Sequence, residues 1–362
     1  MRRYNFLAVT ACLAGTLLFS CDDTTDEPSY EVPDTYAFDN VDYSGQEARI
    51  DMLAEISALA KAGNKGEFVD AAILKDMFAN ENEPFESAAL NTNTKNLKSK
   101  TFDLDVELIE SFFDKQEKAS LSAGATGSNG QAGLVTSNDG NKTYLFDENG
   151  YEYAQFIEKV IMGACFYYQT LGTYMTDARI GEGVDNLEVE EGKGTAMEHH
   201  WDEGFGYLSL PTNYPNNVEP LEFWAKYIDG RNEILGTGDK LMAAFIEGRA
   251  AISAKDMDTK NLMRDIVYKE FELVSAATAI HYINAALAGY ADDAIRNHAL
   301  SEAWAFSQTL QYNPNKSIST AEVIEIRDLL GDNFYTVSRA DLVAAKTALA
   351  TAFKLSAEAD NL

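Results

Sequence analysis

The sequence predicts an all-α protein, an antiparallel helical bundle with one short β-hairpin. Apolar side chains recur at the 3.6-residue helical period in one segment after another. Plausible strands are few, and the connections between the periodic segments are short, which favours antiparallel neighbours.

The N-terminus, residues 1–21, is typical of a bacterial lipoprotein signal. Arg2 and Arg3 precede an apolar run from Phe6 to Phe19, and Cys21 follows that run. The run is too short to span a membrane, and a signal of this shape is removed. We therefore expect a mature chain that begins at a lipidated Cys21; an ordinary cleaved secretory signal is the alternative.

Residues 22–40 are acidic, contain proline and have few large aliphatic side chains, which predicts an extended, flexible tether. The folded domain is expected at 41–362. Acidic residues directly after a lipidated cysteine resemble the export signal of lipoproteins of Bacteroidota. That resemblance implies an outer-membrane lipoprotein at the cell surface, with a periplasm-facing orientation as the alternative.

Charge and cysteine content exclude several classes of protein. The chain has 29 Lys plus Arg, and removing Arg2 and Arg3 leaves 27 against 58 Asp plus Glu, a net charge of −31. Such a surface repels nucleic acid and anionic headgroups, and it favours a monomer. Cys12 leaves with the signal and Cys21 carries lipid, so Cys165 has no disulfide partner. Its apolar surroundings predict a small buried side chain.

The first helix is predicted to start at Ser44-Gly45-Gln46-Glu47, a capping-box sequence. An Asp-Gly turn inside 134–146 predicts the one hairpin. The glycine- and serine-rich stretch 120–133 before it is expected to be flexible. Further helices are predicted at 69–79, 103–117, 151–171, 195–208, 221–227, 240–254, 259–287, 292–310, 320–330 and 339–357.

Two of these helices, near 195–208 and 294–310, carry the same pattern, H-x-x-x-E followed by alternating small and aromatic residues. Residues at i and i+4 share a helical face, so His199 lies over Glu203 and His298 lies over Glu302. Two such helices meeting antiparallel would offer four ligands to a metal ion in the bundle core. The repeated pattern also suggests two related halves.

Other residues of the first motif extend the candidate ligand set. His200 and Glu203 form an H-x-x-E pair on nearly the same face, and Glu198 and Asp202 are further candidates. A mixed nitrogen and oxygen set suits Fe, Zn, Mn or Cu. The alternative is a structural one, in which the same groups are buried and hydrogen-bonded and lock two helices in register.

Elsewhere the sequence offers little chemistry. His281 follows an apolar helical face, as a core histidine does, and Arg249 in "FIEGRAAI" predicts a buried ion pair with a carboxylate. The chain has no phosphate-binding G-x-x-x-x-G-K-[ST], no G-x-S-x-G, no C-x-x-C and no H-E-x-x-H.

The segments "EHHWDEGFGY", "AFIEGRAAI", "HALSEAWAF" and "LQYNPNKSIS" resemble an uncharacterised lipoprotein domain family of Bacteroidota, over nearly all of the mature chain. More distantly the chain resembles imelysin-like proteins, helical bundles of two related halves that include iron-uptake components. Their G-x-H-x-x-E motif is implicated in metal binding, and its His and Glu fall on His200 and Glu203. Glu198 stands where that motif has glycine, and the second copy has H-x-x-x-E instead.

Together these observations favour a membrane-anchored lipoprotein that binds a metal ion and assists its uptake. The resemblance implies iron or an iron chelate first and zinc second. One alternative is a lipoprotein that binds a glycan or a partner beside an outer-membrane transporter, which aromatic side chains lining an exposed groove would favour. Another is a peptidase-like metal-dependent hydrolase with Glu203 or Glu198 as base. A catalytic zinc needs three protein ligands and an open position, which weighs against an enzyme.

Overall fold

The structure is a computed structural model and describes residues 30–362. The predicted lipoprotein signal, residues 1–21 with Cys21, and residues 22–29 of the predicted tether lie outside the described residues. The described part has thirteen α-helices and one two-stranded hairpin, which confirms the predicted fold class. The helices are α1 Ser44–Ala62, α2 Ala71–Ala79, α3 Ala88–Asn91, α4 Val106–Ser120, α5 Tyr153–Ile161, α6 Asp177–Ile180, α7 Ala196–Gly206, α8 Phe223–Leu235, α9 Thr237–Ala254, α10 Met257–Ala288, α11 Asp293–Thr309, α12 Thr320–Leu330 and α13 Arg339–Ala352.

The 32-residue helix α10 is the centre of the bundle. It packs mainly against α9 and α11, the helices before and after it in the chain, and also against α13 and α8. Ala276, Ala277 and Ala279 are fully buried on α10 and let these neighbours approach closely. Phe271 adds aromatic packing against Trp224 of α8, with ring centroids 4.9 Å apart. The core therefore forms around long helices with short connections.

The helix predicted at 151–171 changes its geometry halfway. α5 is α-helical to Ile161 and continues as two π-helical segments, Met162–Tyr167 and Gln169–Tyr174. π-helical turns are rare, and they occur frequently at functional sites. The second segment packs against α7, so the irregular part of this helix lies beside the first H-x-x-x-E motif.

The hairpin forms where it was predicted. Strands β1, Gly133–Thr136, and β2, Thr143–Phe146, pair antiparallel around a turn in which Asp139 Oδ1 accepts from Asn141 N at 3.0 Å. The stretch expected to be flexible is instead hydrogen-bonded to β1. Gly127 N donates to Leu134 O, and Leu134 N donates to Ala125 O, each at 2.9 Å. These main-chain bonds outweigh the glycine-rich composition.

Two details of the N-terminal region differ from prediction. Ser44 starts α1 as expected, but no capping box forms, because Asp42 Oδ1 accepts from both Ser44 N and Ser44 Oγ. The second concerns residues 30–43, which we call the N-terminal strap. Tyr36 of the strap is only 2% exposed, so the packed domain begins before residue 41, and residues 30–40 are not a free tether.

Tyr36 explains why the strap is packed. Its ring stacks on Phe205 of α7 with centroids 3.8 Å apart, and its hydroxyl donates to Asp202 Oδ1 at 2.6 Å. Burying one tyrosine ring with its hydroxyl satisfied outweighs the acidic surroundings in the sequence.

Within residues 30–362, none of the helices has the length and apolar character that crossing a membrane requires.

Candidate metal site

Helix α7 carries the first motif, and its N-terminus is fixed by a capping box. Glu198 N donates to Thr195 Oγ1 at 3.2 Å, and Thr195 N donates to Glu198 Oε2 at 2.8 Å. The helix packs against α9, α1 and the π-helical segment that ends at Tyr174. Trp201 and Phe205 face this core and are buried. The opposite face is half-buried and carries the histidines.

The three side chains His199, His200 and Glu203 lie together on that face. Glu203 Oε2 is 3.2 Å from His200 Nδ1 and 3.9 Å from His199 Nε2. The three side chains are 24%, 19% and 18% exposed, in the same order, so solvent reaches all of them. The structure therefore brings together the His and Glu residues predicted from the first motif.

The other carboxylate oxygen of Glu203 is held by two residues from distant helices. Gln46 Nε2 of α1 donates to Glu203 Oε1 at 3.1 Å, and Tyr174 OH donates to it at 3.0 Å. Burial raises the pKa of Glu203, but the bonds from His200, Gln46 and Tyr174 outweigh burial and hold this pKa below its ordinary value. Glu203 is thus an oriented carboxylate with Oε2 turned toward both imidazoles.

A groove of about 510 Å³ opens beside His199 and His200. Three carboxylate residues and one lysine line it, so its wall is negatively charged overall and attracts cations. His199 Nδ1 is buried and has no hydrogen-bond partner among the described residues. The charged groove residues are Asp185, Glu188, Glu190 and Lys193.

Glu198, also predicted as a ligand, belongs to a different cluster. Its Oε1 accepts from Arg249 Nη1 at 2.8 Å and from Ser253 Oγ at 2.6 Å, while Oε2 serves the helix cap. Both oxygens are therefore occupied, and Glu198 is not placed to bind a metal or to act as a base. The carboxylate partner predicted for Arg249 is confirmed twice over, because Arg249 Nε also donates to Asp202 Oδ1 at 2.9 Å.

The second motif forms a separate cluster on α11. His298 Nδ1 is 2.6 Å from Glu152 Oε2, and His298 Nε2 is 3.4 Å from Glu302 Oε1. The ring of Tyr144 stacks on the imidazole with centroids 4.2 Å apart. Since each ring nitrogen already faces a carboxylate on its own side, this arrangement fits the structural alternative, a hydrogen-bonded polar lock.

The two motifs therefore do not combine into one four-ligand core. α7 packs against α9 and α1, whereas α11 packs against α10 and α5, and each Glu has its own partners. Glu302 Oε2 accepts a hydrogen bond from Tyr227 OH at 3.3 Å. Glu203 is held instead by Gln46 and Tyr174. The expectation that His298 and Glu302 would join His199 and Glu203 is wrong, because the bundle separates these helices.

Within residues 30–362, no group of three or more His, Cys, Asp or Glu side chains has an arrangement that could hold a metal ion. The wider of the two separations on α7 is the 3.9 Å between Glu203 Oε2 and His199 Nε2. What the cluster offers is two imidazoles, one fixed carboxylate and an open, acidic groove.

Sequence reasoning missed the residues that orient these clusters. Gln46 and Tyr174 support Glu203, and Glu152 and Tyr144 hold His298. Gln46 is separated from Glu203 by 157 positions in the chain, and Glu152 from His298 by 146. No local pattern signals such partners, because only the tertiary fold brings them together.

Comparison with known proteins gives one match. Residues 33–353 match a family model described as a domain of unknown function, DUF4856. No curated protein sequence and no solved structure matches the chain. The match covers α1 to α13 and most of the N-terminal strap.

Proposed function

Because the chain belongs to the DUF4856 family, whose description names no activity, we propose a function from its own residues: it is a membrane-anchored lipoprotein that binds a metal ion and assists its uptake. The ligands are His199, His200 and Glu203 on α7. Iron or an iron chelate is the favoured cargo, and zinc is second.

One observation carries the proposal, the position of Glu203 Oε2 between two imidazole nitrogens. Metal bonds to nitrogen and oxygen of roughly 2.0–2.2 Å place two tetrahedral ligand atoms about 3.3–3.6 Å apart. The separations from Glu203 Oε2 are 3.2 Å to His200 Nδ1 and 3.9 Å to His199 Nε2, on either side of that value. Binding requires His199 to turn inward and the proton between His200 and Glu203 to leave.

The ligand type supports iron or zinc. Two histidines and one carboxylate are the set that mononuclear Fe(II) sites and His₂Glu zinc sites use, each with open positions for water or a further ligand. The groove beside the site supplies the space for such a ligand. The resemblance to imelysin-like proteins, which include iron-uptake components, is the reason for preferring iron to zinc. Gln46 and Tyr174 act as the outer hydrogen-bonding partners that such ligands usually have.

The metal content of the soluble chain, residues 22–362, tests the site. We expect one iron or zinc ion per chain by elemental analysis, after purification without chelator and loading with Fe(II) without oxygen or with Zn(II). The triple variant H199A/H200A/E203A should lose it. The double variant H298A/E302A is the matched control, since it removes the same residue types from the other motif, and it should retain the ion.

Two results would overturn the proposal. One is a wild-type chain that takes up neither metal when both are offered in excess. The other is retention of the ion by H199A/H200A/E203A while that variant stays folded, because the ion would then bind elsewhere. Circular dichroism and thermal unfolding of each variant separate damage to the fold from loss of ligands.

The membrane anchor is tested separately. The proposal places lipid on Cys21, and an outer-membrane transporter is the proposed partner for uptake. We expect metabolic labelling with palmitate to mark the wild-type chain and not the Cys21→Ala variant, which should also leave the membrane fraction. An unlabelled wild-type chain in a bacterial host with lipoprotein processing would contradict the anchor and leave the metal site untouched.

A further inference from the structure

A second groove lies on another part of the described molecule, between α11 and the end of α12, with a volume of about 530 Å³. This size is in the range of small-molecule binding sites. It contains none of the proposed metal ligands. The lining residues are Tyr151, Trp304, Arg327, Asp328, Gly331 and Asp332.

Trp304 differs from the other two tryptophans of the chain. Trp201 and Trp224 are 0% exposed, and their indole N–H groups donate to Phe245 O and Met162 O, each at 2.9 Å. Trp304 is half-buried and packs against Phe156 with centroids 5.0 Å apart. A tryptophan kept partly at the surface, in a groove, offers an apolar ring and a donor to a ligand.

Polar groups surround this ring. The guanidinium of Arg327 lies over it at 4.8 Å and donates through Nη1 to Gln308 Oε1, which fixes its position. Arg327 Nε is buried and has no hydrogen-bond partner among the described residues. Asp328 and Asp332 are exposed, and neither carboxylate forms a salt bridge within residues 30–362. The groove thus combines an aromatic side chain with a fixed donor and two acceptors.

This combination excludes several ligand classes. Asp328 and Asp332 repel an anion, and the guanidinium of Arg327 occupies the face of the indole ring on which an organic cation would stack. The lining is too polar for a fatty acyl chain or an apolar helix. A neutral molecule with many hydroxyl groups and apolar C–H edges meets all three features.

We propose that this groove binds a neutral saccharide. Sugar hydroxyls donate to Asp328 and Asp332, and a sugar oxygen accepts from the guanidinium of Arg327. The apolar C–H groups of the sugar contact the parts of Trp304 and Tyr151 that Arg327 and the core leave exposed. The site is independent of the metal site, because the two share no residue. Trp304 belongs to the pattern of the second H-x-x-x-E motif. Saccharide binding would therefore give that motif a role in ligand binding, whereas the proposed metal site gives it none.

Tryptophan emission and calorimetry test the site with the soluble chain, residues 22–362. The probes are the hexasaccharides of α-1,4-glucose, β-1,4-glucose, β-1,4-mannose and β-1,4-xylose, each up to about 10 mM. We expect at least one to change the emission with saturation and a Kd at or below about 1 mM. Trp201 and Trp224 are buried, so the change should disappear in W304F.

The double variant D328N/D332N provides a second test that does not depend on the core, since both side chains are exposed. It should weaken binding by about tenfold or more, through the loss of charged acceptors. H199A/H200A/E203A should bind the sugar as the wild type does, whether or not it binds metal. No response to any of the four probes, or unchanged affinity in D328N/D332N, would overturn the proposal.

Discussion

At the scale of single residues, the same two residue types serve different ends in the two motifs. On α7 both histidines face one oxygen of Glu203, whose other oxygen is held by Gln46 and Tyr174. On α11 a single histidine, His298, lies between two carboxylates. A carboxylate oxygen that faces two imidazoles can bind a metal ion together with them. A histidine with a carboxylate at each ring nitrogen instead holds helices together. The number of partners per imidazole, and not the H-x-x-x-E spacing, separates a candidate site from a lock.

His298 should make stability depend on pH. Burial lowers its pKa, but the carboxylates of Glu152 and Glu302 outweigh burial and raise this pKa above its ordinary value, against a smaller opposing effect of Lys159. A raised histidine pKa contributes stability below about pH 6.5, and that contribution is lost as pH rises through the folded-state pKa. The wild-type chain should therefore be more stable than H298Q at pH 6 by roughly 1–3 kcal/mol, and the difference should shrink toward alkaline pH.

Urea unfolding of both chains at several pH values measures this difference. His281→Gln is the matched control, because burial, with Arg231 nearby, lowers the pKa of His281. Replacing His281 should change the pH dependence of stability in the opposite direction, because a histidine with a lowered pKa destabilises the folded state below about pH 6.5. If the H298Q curve runs parallel to the wild-type curve at every pH, His298 carries no proton-linked stability.

At the scale of helices, close packing between α7 and α9 positions the site. Gly248 of α9 faces the indole ring of Trp201, and a Cβ at residue 248 would overlap the Cζ2 and Cη2 atoms of that ring. Trp201 is fully buried and donates its N–H to Phe245 O. A side chain larger than glycine at residue 248 would therefore have to push the buried ring, and α7 with it, away from α9.

Gly248→Ala should lower the free energy of unfolding by about 1–3 kcal/mol through overpacking, even though alanine favours the helix by about 1 kcal/mol. Gly204→Ala on α7 is the comparison, because a Cβ there meets the flexible end of Met175, at 2.5 Å from Cε. That side chain can shift, so G204A should stay within about 1 kcal/mol of the wild type. Chemical denaturation compares them, and equal effects of the two changes would contradict this packing argument.

At the scale of the whole molecule, local patterns and distant contacts were not equally predictable. The 3.6-residue period located most of the long helices to within a few residues, and the Asp-Gly turn located the hairpin. The exception is α8, which continues to Leu235 although its predicted end was residue 227. The four-residue helices α3 and α6 were missed, since one turn shows no period. The pairing of helices was not predictable either. The helical period predicted that His199 and His200 lie near Glu203, as observed, but it could not show that His298 and Glu302 form a separate cluster. Composition predicted a tether that extends to residue 40, whereas Tyr36 is already buried in the domain. The burial of a single aromatic side chain cannot be read from the average composition of a segment.

The N-terminal strap packs against α7, and its removal should destabilise the whole domain. Tyr36 stacks on Phe205 and donates to Asp202, whose pKa is raised to about 7, mainly by burial. Without Tyr36 the core loses a buried aromatic ring, and Asp202 keeps only Arg249 as a partner. A chain that begins at residue 41 should therefore unfold about 3–5 kcal/mol more easily than one that begins at residue 22.

Two variants separate the contributions of length, ring and hydroxyl. A chain that begins at residue 30 keeps the whole strap and should match the longer chain in its urea midpoint. Tyr36→Phe keeps the stacking on Phe205 but removes the bond to Asp202, so about 1–3 kcal/mol should be lost. If the chain from residue 41 matches the chain from residue 22, the strap does not pack in solution, and the tether reaches the first helix as composition alone predicts. If it is weakened as expected, the residues before α1 are joined to the domain through α7, the helix that carries the proposed metal ligands.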